Sequence, residues 1–253
     1  MLSKVRFSLI AALLAFLPDA VRAGLINFET NPDGATPSDN SRLTDPYKLD
    51  GGGTVRFFFD GNANNQFDAE DAVPEFEAVG SDFAHGFVAA QVGDLQFDQA
   101  RVGADGSLGT HFLNKRNGLS AFFGGLVVQY DTVQNVRDIS GEIWDIDGDG
   151  GRTERWLISA IDDDGNNLQQ VLSPEGVTQD VDSLDSLPWN FEFRNLPDSF
   201  RAIRFDFVGT KSGYNLALDN LSTTFAVPEP SSIGMLGCCL ALFTARRNRN
   251  RVA

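Results

Sequence analysis

The sequence predicts an all-β fold: a single antiparallel β-sandwich of jelly-roll type, flanked by an N-terminal signal peptide and a short C-terminal apolar helix. Three observations carry that prediction. Hydrophobic residues make up 42% of the 253, with 21 phenylalanines among them, which is enough apolar surface for one sizeable core and excludes disorder throughout. The 25 glycines and recurrent Asp-Gly and Gly-rich turns argue against a helical bundle, because glycine is costly inside helices and favoured in turns. Between those turns lie short apolar runs with period-two alternation. In Arg204-Phe205-Asp206-Phe207-Val208 the phenylalanines face one side and the charges the other, as in a half-buried antiparallel strand.

Taken in order, strands are expected at 25–29, 54–59, 76–79, 86–92, 118–130, 140–144, 155–161, 169–172, 189–193, 202–208 and 216–225. Each is bounded by Gly, Asp or Asn turn residues. With no amphipathic helix, internal repeat or low-complexity linker between them, one sandwich accounts for the whole stretch. The two cysteines, Cys238 and Cys239, are adjacent and sit in the C-terminal apolar run, so no disulfide framework holds the fold.

The two ends follow a sorting logic. Lys4 and Arg6 precede an apolar run from Phe7 to Leu17, and Val21-Arg22-Ala23 places small residues three and one positions before a cut between Ala23 and Gly24. That is a secretory signal peptide over residues 1–23, which routes the chain through the Sec translocon. Residues 24–226 then form the ectodomain, and residues 227–253 a tail. In the tail, Val227-Pro228-Glu229-Pro230 is held extended by its prolines. An apolar stretch at 231–245 follows, then Arg246, Arg247, Arg249 and Arg251, which stay cytoplasmic by the positive-inside tendency.

This order of elements, VPEPSSIGMLGCCLALFTARRNRNR, resembles the PEP-CTERM sorting signal. The resemblance covers residues 227–251. It implies recognition by an exosortase, a membrane cysteine transpeptidase of Gram-negative bacteria that make exopolysaccharide, with cleavage near the Pro-Glu-Pro motif. Val227, Pro228, Glu229, Pro230, Arg246 and Arg247 are then recognition residues on a substrate. The chain is expected to be held transiently in the inner membrane through residues 231–245, then released to the cell surface or the extracellular biofilm matrix.

Setting aside three basic and one acidic residue in 1–23, and four basic and one acidic in 228–253, leaves 13 basic against 33 acidic side chains, a net charge of -20. Nucleic acid is excluded as a partner, since phosphates would be repelled. Clustered carboxylates instead favour a divalent cation.

Two phrases have the spacing of calcium loops. Asp60-Gly61-Asn62-Ala63-Asn64-Asn65-Gln66-Phe67-Asp68-Ala69-Glu70-Asp71 places oxygens at positions 1, 3, 5, 9 and 12 through Asp60, Asn62, Asn64, Asp68 and Asp71. It resembles a dockerin-like or EF-hand-like loop, with Asn65 where the turn glycine is usual. Asp145, Asp147 and Asp149, followed by Gly150 and Glu154, form a second, partial site. For both loops the competing reading is a solvated acidic turn. Asp162-Asp163-Asp164-Gly165-Asn166 reads as a plain hairpin connection.

The opening phrase Gly24-Leu25-Ile26-Asn27-Phe28-Glu29 and the closing Tyr214-Asn215-Leu216-Ala217-Leu218-Asp219-Asn220-Leu221 resemble the first and last strands of galactose-binding-like and related carbohydrate-binding jelly rolls. That resemblance implies adjacent terminal strands and nominates Glu29 and Asp219 for a structural calcium ion.

An enzyme is not expected. His85 and His111 are the only histidines, and no nucleophile elbow or zinc motif accompanies them. A carboxylate pair for glycoside hydrolysis would be invisible to sequence, because its separation is spatial, so a glycan-degrading enzyme on the same fold is the alternative. Trp144, Trp156 and Trp189 read better as core than as a sugar platform. The expected role is structural or adhesive, with calcium as cofactor and exopolysaccharide as partner.

Overall fold

Strand after strand in the ectodomain has every second side chain apolar, and burying those faces against one another produces two sheets. A computed structural model describes residues 23–49, 52–78, 110–114, 124–131, 135–144, 146, 148, 151–177, 188–211 and 216–225. All belong to the compact unit Ala23–Phe225. The expected strand at 86–92, the first part of that at 118–130, the signal peptide and the C-terminal helix lie outside the described residues.

The described strands are β1 (Ala23–Ile26), β2 (Ser41–Arg42), β3 (Tyr47–Lys48), β4 (Thr54–Phe59), β5 (Glu75–Ala78), β6 (His111–Asn114), β7 (Leu126–Asp131), β8 (Val136–Trp144), β9 (Trp156–Asp162), β10 (Asn167–Leu172), β11 (Pro188–Phe193), β12 (Phe200–Phe207) and β13 (Ala217–Phe225). One sheet runs β11-β8-β13-β6-β5-β2, with β1 also on β13; the other runs β10-β9-β12-β7-β4-β3. All pairings are antiparallel. The fold is therefore the all-β antiparallel sandwich of jelly-roll type that the alternation predicts. Sequence reasoning missed β2 and β3, which have two residues each, and β6, whose His111-Phe112-Leu113-Asn114 is buried throughout and shows no apolar–polar alternation.

The inward faces of both sheets merge into one core. Val55, Phe57 and Phe59 of β4, Leu126, Val128 and Tyr130 of β7, and Ile203 and Phe205 of β12 meet Ile139 and Ile143 of β8 and Leu218 and Leu221 of β13. Phenylalanine sets the geometry at the seam. Phe191 and Phe205, from opposite sheets, meet edge to face with centroids 5.4 Å apart, and Phe28 meets Phe57 the same way at 5.4 Å. The Tyr130 hydroxyl, buried among them, pairs with Thr223 Oγ1 at 3.0 Å across the sandwich, which satisfies both polar groups.

Strand β13 organises the first sheet. Its register with β8 shifts between Asp219 and Ser222, and Asn220 there adopts a φ of 49°, a left-handed conformation that asparagine tolerates. Before the bulge, Leu218 pairs with Leu113 of β6. After it, Leu221 to Thr224 pair with Ile26 to Ala23 of β1. The first and last strands are therefore adjacent, as the terminal phrases imply.

Candidate functional site

On the six-stranded sheet, the residues between the core positions face outward. Register aligns Arg56, Gln129, Ala202 and Ile161 across β4, β7, β12 and β9, and next to them Phe58, Val127, Arg204, Ser159 and Gln170. Phe58, Val127, Ile161 and Ala202 form a small apolar cluster separate from the main core. The arginines, glutamines and serine surround it.

The 60–71 loop folds over this face. Phe67 lies edge-on against Phe58 at 5.5 Å and is 41% exposed. The Arg56 guanidinium sits 4.6 Å from the centre of the Phe67 ring, a cation–π arrangement. Arg204 Nη1 donates to Asn65 Oδ1 at 3.2 Å, and its Nε to Asp206 Oδ1 at 2.8 Å. Gln170 Nε2 donates to Ser159 Oγ at 2.9 Å. Sequence reasoning did not single out Arg56, Phe67 or Arg204. The available signal was polar or charged residues at every second position of strands whose alternate positions are core.

Within the loop the structure brings Asn62 and Asn64 onto Asp68, while Asp60 and Asp71 bond the loop backbone instead. Asp60, buried at the end of β4, accepts the backbone N–H groups of Asn64 at 3.1 Å and Asn65 at 2.8 Å. Asp71 accepts those of Gly61 and Asp68 at 2.9 and 2.7 Å. The amides of Asn62 and Asn64 both donate to Asp68 Oδ2 at 2.8 Å. Hydrogen bonds from the Glu70 backbone, then from Asn62 and Asn64, hold the Asp68 carboxyl below its ordinary range, whereas partial burial raises that of Asp71. The turn is possible because Ala63 and Asn65 both have positive φ, 60° and 59°. Among the described residues, no three His, Cys, Asp or Glu side chains are grouped closely enough to hold a metal ion.

Of the second phrase, Asp145, Asp147 and Asp149 lie outside the described residues. Glu154 is buried; it accepts the Trp156 indole N–H at 3.0 Å and lies 3.5 Å from Lys211 Nζ. The 162–166 connection is a hairpin turn in which Asp162 Oδ1 accepts from Asp164 and Asn166 at 3.0 and 2.8 Å.

Of the two acids nominated on the terminal strands, Asp219 lies on β13, whereas Glu29 lies beyond the end of β1. Glu29 Oε1 accepts the N–H groups of Thr110 at 2.6 Å and His111 at 3.2 Å, clamping the start of β6. Asp219 is paired in register with Glu142 of β8 and is buried. Burial pushes its carboxyl up to about 9; the Asn220 N–H opposes this, while the charges of Glu142 and Glu29 add to it. Glu142, which the sequence reading did not nominate, accepts the Trp144 indole N–H at 3.1 Å and the Asn220 amide at 3.0 Å. Trp144 and Trp156 are buried, and Trp189 is half-buried against the core. His111 is buried on β6, and His85 lies outside the described residues.

No family model and no curated protein matches the chain. Solved structures do match at low similarity. A DUF4465 family protein from Bacteroides caccae is 10% identical, over 76% of this chain and 90% of that one, with a TM-score of 0.42. The CBM22-1 xylan-binding domain from Paenibacillus barcinonensis Xyn10C is 12% identical, over 70% and 97%, at 0.30. The K3 adhesin domain of Lys-gingipain from Porphyromonas gingivalis is 11% identical, over 46% and 75%, at 0.31. Scores at this level carry no argument about fold or activity.

Proposed function

We propose that this is an exported cell-surface or extracellular-matrix protein whose sandwich holds exopolysaccharide on the outer face of the six-stranded sheet. The observation that carries this reading is the face itself. The partly exposed Phe67 ring packs edge to face with Phe58 and carries the Arg56 guanidinium over one side, which leaves its other side for the C–H face of a sugar. Arg204, Gln129, Ser159 and Gln170 surround it with donors and acceptors for hydroxyls. An open face suits an adhesive role, because it grips a polymer along its length.

Export and processing rest on the two ends. Residues 1–23 deliver the chain to the Sec translocon, with cleavage between Ala23 and Gly24. An exosortase reads Val227 to Pro230 and the arginines from Arg246 and Arg247, while 231–245 lies in the inner membrane. Calcium is proposed as a structural cofactor. Asp60, Asn62, Asn64, Asp68 and Asp71 would hold it in the first loop, Asp145, Asp147, Asp149 and Glu154 in the second, and Glu29 and Asp219 beside β13. A cation near Asp219 would offset the repulsion from Glu142 and Glu29 by displacing a proton. The protein is read as a non-enzyme. Among the described residues the paired carboxyls Asp219 and Glu142 are buried and thus poorly placed for a polysaccharide substrate.

The test is binding of the protein to its host's exopolysaccharide with calcium or with EDTA, in parent and Phe67→Ala. Binding that EDTA weakens and that drops about tenfold in the variant, about 1.4 kcal/mol, supports the reading. Parent and variant binding equally well would remove the face from it.

A further inference from the structure

We infer that the depression between residues 31–33 and 41–45 is a binding site for a single neutral sugar ring, at the end or on a branch of the polysaccharide held by the neighbouring face. This rests on the glycan-binding reading and deepens it by naming the ligand's class.

The depression encloses about 180 Å³. At about 30 Å³ per water this displaces roughly six molecules, and it is smaller than the ~300–1,000 Å³ of sites for drug-sized ligands. It therefore has room for one ring. Its polar lining mixes acceptors and donors. Asn31, Asp33, Ser41, Thr44 and Asp45 offer oxygens, and Arg42 offers N–H groups. Ring hydroxyls both donate and accept, so neighbouring hydroxyls need such a mixture. Pro32 and Leu43 supply the apolar part of the wall, against which a C–H face packs.

The walls are set before any ligand arrives. Asn31 N–H bonds Ala35 at 2.7 Å, Gly34 N–H bonds Asn31 at 2.8 Å, and Leu43 N–H bonds Pro74 at 3.0 Å. Asp33 Oδ1 accepts the Ala35 N–H at 3.0 Å, and Leu43 is buried. Little ordering cost remains to be met on binding.

Two further observations decide the class. Arg56 Nη1 donates to the Thr44 carbonyl at 3.3 Å, and the same guanidinium caps Phe67. The depression thus adjoins the outer face, and one polymer spans both. Its charge excludes uronic acids. Asp33, Asp45 and Glu75 outnumber the two arginines there: Arg42 Nε is already 3.8 Å from Glu75, and Arg56 is held by the Thr44 carbonyl and the Phe67 ring. A carboxylated ring would add to that negative excess and find both guanidinium groups already engaged.

The experiment uses the full chain in detergent, labelled for backbone-amide NMR, with four probes: methyl glucoside, methyl galactoside, methyl xyloside and methyl glucuronide. Host exopolysaccharide is tested beside them. Thr44→Trp fills the depression from an exposed position. The expected result is that at least one neutral glycoside shifts amides of residues 31–33 and 41–45 with a dissociation constant in about the millimolar range. Thr44→Trp then weakens it at least tenfold at an unchanged melting temperature, and the glucuronide binds at least tenfold more weakly. Glucuronide binding as tight as the neutral probes overturns the ligand class. Shifts confined to the Phe67 region, or polysaccharide binding without any glycoside binding, overturn the depression while leaving the glycan reading intact. Binding of neither glycoside nor polysaccharide overturns both.

Discussion

Asp219 shows how a single residue acquires a property that its neighbours in sequence do not explain. It sits beside an asparagine and aliphatic residues, yet strand pairing sets it against Glu142 and burial removes its water, so its carboxyl titrates near 9. An acid raised in the folded state binds more protons there than in the unfolded chain. Its contribution is fully present below about pH 4 and is lost progressively as pH rises toward 9. The expected outcome is that Asp219→Asn flattens the fall in stability between pH 5 and pH 8, measured by urea unfolding as the difference from parent. Equal slopes for the two proteins would show that Asp219 is ionised in the fold. At Phe67 a similar juxtaposition creates a surface: an unremarkable loop phenylalanine is held in place because Phe58 meets it edge to face and Arg56 lies over one side of its ring.

At the scale of elements, the bulge in β13 and the close contact of β8 with β11 set the first sheet. A Cβ at Gly141 would come within 2.8 Å of the Phe191 ring, which itself meets Phe205 across the sandwich. Gly141→Ala is expected to destabilise by about 1–3 kcal/mol through overpacking, read as a lower urea midpoint with unchanged m. A change under about 0.5 kcal/mol would mean that Phe191 has room to move. Strand β6 depends on the clamp from Glu29 to the Thr110 and His111 N–H groups. Glu29→Ala removes a charged acceptor from two donors and is expected to cost about 1–3 kcal/mol. Recovery of part of that loss in Glu29→Gln would identify the hydrogen bonds as its source.

For the whole molecule, the governing quantity is a net charge of -20 over residues 24–227, which repels itself unless counterions gather. Both sodium and calcium chloride are expected to raise the melting temperature, calcium by several degrees more at matched ionic strength if the acidic loops and the Asp219 region take the ion. Equal shifts for the two salts would reduce calcium to screening. Glu229→Gln, or removal of 246–251, is expected to leave the protein unprocessed in its host, read from its mass and its location. An unchanged mature mass would remove the exosortase route.

The sequence by itself determined the fold class, because period-two alternation and dense turns are local properties that survive without knowledge of partners. It also determined the oxygen spacing of the first acidic loop, whose residues are close in space because they are close in the chain. Three strands escaped it for the opposite reason: β2 and β3 have too few residues to show a period, β6 is buried throughout and shows none, and they are strands only because β5, β4 and β13 lie beside them. Tertiary structure alone decided the rest. The Phe67 face joins residues 56, 67, 129, 170 and 204, the depression joins 31–33 with 41–45, and the acid trio joins 29, 142 and 219. Sites of this kind are made by strand register, which depends on long-range pairing and so is carried by no single stretch of chain.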